Sequence, residues 1–204
     1  MERTSCLNKR MYDISRYAEF VEIILIALGI FLVPIIIPQI LSAVFGATSS
    51  IATNSQYVVG TLVNSSLIVA GVNVKGWKKI ISLVTLPSLS ALSSGLVLKT
   101  GSVYTLYMIP AIWLGNFAII WLYKKLFVEK KFNYILASVA GIAAKVALIF
   151  AGYNLLVLTN IIPKGSKVAT ALYTAMGMNQ LVTAILGSIL AFAIFKTLYK
   201  KESK

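Results

Sequence analysis

Residues 133–158 read NYILASVAGIAAKVALIFAGYNLLVL, an apolar run carrying a single charge, Lys145. About 20 helical residues cross a hydrocarbon core of roughly 30 Å, so the run is long enough to span a membrane. Lys145 stands about 12 residues from either end, close to the bilayer midplane. An ionisable group at that depth costs ~2.5 kcal/mol or more unless it is paired or hydrated, so it must face a bundle interior or a wet cavity. The helical spacing agrees. Ser138, Gly141, Lys145 and Gly152 fall on one face, and small residues are what packed membrane helices present to one another.

The rest of the chain follows the same pattern. Its 204 residues are 58% hydrophobic and only 12% charged, with a mean hydropathy of +0.86. A soluble domain needs a polar exterior that this composition cannot supply. Five further spans are expected at about 18–46, 56–73, 80–98, 102–123 and 169–195. The expected fold is therefore an all-α six-transmembrane-helix bundle over 18–195, between an N-terminal segment 1–17 and a basic tail 196–204. Pro34 and Pro38 predict a bend in the first span, and Pro87 interrupts the third. The first apolar run exceeds the roughly 7–15 residues of a signal-peptide core, so it reads as a retained span.

The formal charge of +13 is distributed unevenly. Segments 1–17, 75–79, 124–131 and 196–204 hold fifteen basic residues; the alternate loops hold three, Lys99, Lys164 and Lys167. Short loops rich in Lys and Arg stay cytoplasmic, which predicts a multi-pass cell-membrane protein with both termini inside. No basic soluble domain exists to carry a nucleic-acid interface.

Other polar residues fall at depths comparable to Lys145: Asn64, Asn116, Asn179 and Gln180, with Asn154 nearer the outer end of its span. Each amide reads either as glue between helices or as a ligand contact; gathered around one lysine, they point to a polar cavity. Tyr104, Tyr107 and Trp113 are either interfacial anchors or pocket lining, whereas Trp77, Trp121, Tyr123 and Tyr199 read as anchors at the inner interface. A small-residue stripe, Ala171, Ala175, Asn179, Thr183, Gly187 and Ala191, predicts a close helix seam in the last span. All six carboxylates, Glu2, Asp13, Glu19, Glu22, Glu129 and Glu202, map to the cytoplasmic side or the inner edge of the first span. With no buried counter-ion, Lys145 suits a small anionic ligand arriving from outside past the three outer lysines.

Several chemistries are excluded by residue type. One cysteine, Cys6, and no histidine leave no zinc site rich in cysteine, no iron–sulfur cluster and no imidazole acid–base pair. No buried carboxylate pair, activated nucleophile or phosphate-binding glycine loop is present, so neither an enzyme nor a resident cofactor or metal is expected.

The chain resembles the substrate-binding S components of energy-coupling factor (ECF) transporters. The likeness lies in its size and topology, in LPSLSALSSG (86–95), in YTLYMIPAIWLGN (104–116) and in AMGMNQLVTAILGSILAF (175–192). The resemblance implies a six-helix subunit that binds a vitamin or metal ion in its outer half, powered by a transmembrane coupling subunit and two ATPases. The first span departs from it: Ala18, Ala27 and Gly29 do not reproduce the Ala-x-x-x-Ala pair through which many S components meet that subunit. Without histidine, a nickel or cobalt type is disfavoured. The expected function is therefore uptake of a small, anionic solute or vitamin as a binding subunit. A self-sufficient carrier or channel, or a membrane assembly protein, stands as the alternative.

Overall fold

The computed structural model describes residues 2–74, 76–93 and 103–199, without the side chains of 2–19, 22, 91, 93, 103, 198 and 199. Lys75, Lys99 and the outer end of the third expected span (94–98) lie outside them, as do Glu202 and the tail from 200. So do the side chains of Cys6, Glu19, Glu22 and Tyr199.

Among the described residues the chain is wholly helical. The order is α1 (Glu2–Phe45), α2 (Ser50–Thr53), α3 (Ser55–Asn73), α4 (Trp77–Ser93) and α5 (Val103–Leu122), then a π-helical turn (Tyr123–Glu129), α6 (Tyr134–Leu158), α7 (Lys167–Met176) and α8 (Met178–Tyr199). Five stretches are long and apolar enough to cross a membrane: Ile23–Phe45, Ser55–Asn73, Tyr104–Glu129, Tyr134–Leu158 and Lys167–Thr197. The third expected span corresponds to α4, whose described part is 17 residues with Pro87 inside it. α1 runs unbroken through Pro34 and Pro38.

Apolar side chains gain little by moving from lipid to a helix interface, so close packing and hydrogen bonds must hold the bundle together. The most extensive interfaces are α3 with α8 and α5 with α6. Both are built where side chains are missing. A Cβ on Gly187 of α8 would stand 2.5 Å from the Asn64 Cβ on α3, and one on Gly152 of α6 would stand 2.3 Å from the Ala111 Cβ on α5. At these points the backbones approach as closely as glycine alone allows. α1 packs along α3 and α4, where the Ser90 hydroxyl of α4 donates to the Phe31 carbonyl of α1. It remains mostly uncovered, with 11% of its apolar core segment buried.

The last expected span is not one straight helix. Gly177 leaves helical geometry at φ −101°, ψ −91°, and its N–H bonds the Tyr173 carbonyl, ending α7 before α8 begins. The small-residue stripe divides there: Asn179, Thr183, Gly187 and Ala191 are buried in α8, while Ala171 is exposed and Ala175 half-buried on α7. A second correction concerns Tyr123. The sequence suggests an interfacial anchor, but its side chain is wholly buried. Trp77 and Trp121, by contrast, are 40% and 42% exposed. The difference arises because Tyr123 continues the buried face of Asn116, Ile119 and Ile120 at helical spacing, and its hydroxyl bonds Ser138 of α6 and Ser188 of α8, each at 2.7 Å.

That hydroxyl cluster ties three elements at the basic end. Ser188 also bonds Ser138 at 2.9 Å, and Tyr134 donates to the Ser188 carbonyl at 2.7 Å. Ser188→Ala strips two buried hydroxyls of a shared partner and is expected to destabilise the protein by roughly 1–2 kcal/mol. Unfolding by denaturant in detergent micelles measures it; no shift in midpoint would mean that the cluster is slack.

Candidate functional site

Lys145 is 3% exposed on the α6 face turned toward α5. Ser138 and Gly141 are buried on the same face, as the spacing predicts. Its Nζ donates to Asn116 Oδ1 of α5 at 2.8 Å and to Asn64 Oδ1 of α3. Both asparagines are 2% exposed. Close approach of the helices makes this geometry reachable. At Gly115, one residue before Asn116, a Cβ would meet the Lys145 carbonyl oxygen at 3.0 Å.

The polar chain continues into α8. The Asn64 side-chain amide donates to Thr183 Oγ1 at 3.3 Å, and the Thr183 hydroxyl donates to the Asn179 carbonyl at 2.8 Å. One turn further toward the opposite end, the Tyr57 hydroxyl donates to Asn179 Oδ1 at 2.8 Å. The result is a continuous polar seam from Tyr57 through Asn179, Thr183 and Asn64 to Lys145 and Asn116. Four helices contribute to it.

Of the residues singled out by sequence, Lys145, Asn64 and Asn116 therefore meet directly, and Asn179 joins through Thr183. Gln180 is half-buried beside Asn179, and its side chain makes no hydrogen bond among the described residues. Trp113 lies one turn of α5 from Asn116, packed against the main hydrophobic core, and its buried indole N–H has no partner among the described residues. Three residues lie elsewhere. Tyr104 packs in a separate cluster with Met108 and Tyr153 toward the opposite end. Tyr107 is 51% exposed on the bundle's outside. Asn154 is exposed, and its amide bonds the Phe150 carbonyl of its own helix at 2.8 Å. Short amide side chains reach their own backbone one turn back, and depth along a helix does not reveal azimuth. Tyr57 and Thr183 are the participants that polarity alone passed over. Thr183 was visible as part of the small-residue stripe; Tyr57 carried no signal beyond its position two turns before Asn64.

An ammonium has three N–H donors, and two of those on Lys145 are used by amide oxygens among the described residues. Between residues 55 and 199 the one carboxylate in the sequence is Glu129, in the π turn, where it pairs with Lys125. The charge is thus balanced by amide dipoles rather than by a carboxylate. Such a centre offers an amino group with one N–H uncommitted among the described residues, a combination suited to an acceptor-rich anion. Among the described residues no group of His, Cys, Asp or Glu is placed to hold a metal ion. A groove of about 280 Å³ lies elsewhere, on the lipid-facing side between α1, α3 and α8, lined by Leu25, Ile26, Gly29, Ser66, Val69 and Ile194. No protein family, curated protein or solved structure matches the chain.

Proposed function

We propose that this protein is the substrate-binding subunit of an uptake system in the cell membrane, taking a small anionic solute or vitamin at Lys145. In this reading α4 is the sixth span, since it packs between α1 and α5, both neighbours of membrane-crossing length. The charge bias of the loops then puts both termini in the cytoplasm. Transport is energised by partner ATPases through a transmembrane coupling subunit, as in the ECF transporters whose S components the chain resembles. α1 supports the need for a partner: Leu25, Leu28, Leu32 and Ile36 are all 39% exposed or more. This surface is large and apolar where the resemblance would put a small-residue pair, so the docking geometry differs from that pattern.

One observation carries the reading. Lys145 is buried midway along α6, and among the described residues its hydrogen-bond partners are two amide oxygens, which leaves one N–H uncommitted. A carboxylate or phosphate oxygen can replace an amide oxygen at such a centre and adds the attraction of opposite charges, which is stronger in a low-dielectric interior than in water.

The test is ligand-induced stabilisation of the purified protein by a panel of small carboxylates and phosphate esters. At ~100 Kd of the true ligand, stability should rise by about 2.7 kcal/mol. Lys145→Gln keeps a donor for both amides but removes the charge, and it should abolish the response. Stabilisation that survives in this variant overturns the site. Purification with ATPase subunits attached supports the energised uptake reading; a ligand response in liposomes that drives accumulation without them favours a self-sufficient carrier.

A further inference from the structure

A second site is independent of Lys145. Between the π turn and α6 the chain reads KKF, residues 130–132, and this corner is firmly built. The Lys130 N–H bonds the Lys125 carbonyl at 3.0 Å, and the Phe132 N–H bonds the Leu126 carbonyl at 2.8 Å. Lys131 sits in the left-handed region at φ 54°, where a β-carbon is disfavoured and glycine or asparagine fits more easily. Lysine occupies a position that the backbone would rather give to another residue, which directs attention to its charge.

Among the described residues neither Lys130 nor Lys131 has a carboxylate partner. The Lys130 and Lys131 side chains are exposed. The neighbouring acid, Glu129, is already paired with Lys125 at 2.9 Å. Lys124 donates to the Val74 carbonyl and lies over Trp77, and Lys196 belongs to the last turns of α8. Directly below the corner runs an apolar column on the outside of α6: Phe132, Ile135 and Val139 are 44%, 72% and 61% exposed. The spacing of three and four residues keeps Ile135 and Val139 on one helix face with Phe132 above them. The Lys130 ammonium is 6.0 Å from the Phe132 ring centroid, which marks the level where charge gives way to apolar surface.

We infer that the Lys130–Lys131–Phe132 corner binds the phosphate headgroup of an anionic phospholipid, with one acyl chain lying along Ile135 and Val139. Two ammoniums above an apolar column match the lipid's own division into charged head and apolar tail. A soluble phosphate would have no use for the column. Basic residues at a membrane surface strengthen anionic lipid binding on the order of fivefold each.

Binding of phosphatidylglycerol and phosphatidylcholine to the purified full chain is compared by native mass spectrometry. Lys130→Gln with Lys131→Asn removes both charges, while asparagine accepts the left-handed backbone. The preference for phosphatidylglycerol should fall roughly 25-fold in this double variant. Lys196→Gln, which removes one charge from the same end, should change it less than about twofold if the site is local. Lys131→Gly checks the corner: its melting temperature should match or exceed that of the parent, while the preference drops. Three results overturn the proposal: no preference in the parent chain, an equal loss in Lys196→Gln, or equally tight binding of glycerophosphoglycerol, which carries the headgroup without tails.

Discussion

Asn64→Leu will destabilise the bundle by roughly 2–3 kcal/mol, because it takes an acceptor from a buried ammonium, and Lys145→Met in the same chain will restore most of that loss. The prediction follows from the asymmetry of buried polar groups. Removing one partner leaves a charge with nothing to answer it, whereas removing the charge leaves a volume that an apolar side chain can fill. Lys145 has two acceptors among the described residues, Asn64 and Asn116, and the one carboxylate between residues 55 and 199, Glu129, pairs with Lys125. Asn64→Leu deletes one of the two and also leaves Thr183 Oγ1 without its amide donor. Lys145→Met alone removes a desolvated charge but strands the buried Asn64 and Asn116 amide oxygens, so it should cost about 1 kcal/mol. The four proteins form a cycle with an expected coupling of roughly 2 kcal/mol, within the range for residues in one network. Additive costs would show that Lys145 is hydrated and independent of Asn64.

Gly187→Val is the second large effect. A Cβ at this position stands 2.5 Å from the Asn64 Cβ, 3.0 Å from the Thr61 carbonyl oxygen and 3.1 Å from the Ser65 nitrogen. Two of these three are backbone atoms of α3, so no rotamer change relieves the clash and the helices must separate. Overpacking typically costs about 1–3 kcal/mol, and more where the neighbour is a rigid backbone. The Gly60–Thr183 contact lies one turn along the same seam; a Cβ on Gly60 would meet Thr183 Cγ2 at 2.7 Å. Separation at Gly187 therefore also loosens Thr183 from Asn64. Thermal unfolding in detergent should show a loss of at least 3 kcal/mol, and the ligand response at Lys145 should weaken with it. A variant that melts like the parent would mean that the α3–α8 interface is looser than its glycines imply.

Much of this was legible in the residues. Apolar runs of span length and the lysine among small residues announced a helical membrane protein and the inward face of α6, because the cost of exposing a charge or a backbone amide to lipid leaves few alternatives. The meeting of Asn64 and Asn116 with Lys145 was readable as a shared depth. What depth cannot give is azimuth, so Tyr107 and Asn154 appeared as candidates although both face outward. The break at Gly177 was hidden for another reason. The apolar pattern runs across it from Lys167 to Thr197, and only the local backbone angles end one helix and start the next. Tyr123 is buried because it shares the inward face of Asn116, Ile119 and Ile120, a matter of azimuth that its place near the end of a span does not reveal.

The single charge shared by α3, α5 and α6 also has a consequence for biogenesis. Membrane helices insert first and associate afterwards, and chains assemble from the N-terminus as they are made. α3 and α5 therefore enter the bilayer carrying asparagines whose partner does not yet exist. When α6 arrives it brings a cation that lipid will not tolerate, and the two waiting amides are where that cation comes to rest. A nascent bundle that has failed to close displays an unpaired charge to the bilayer, the feature by which an unfinished membrane protein differs most from a finished one.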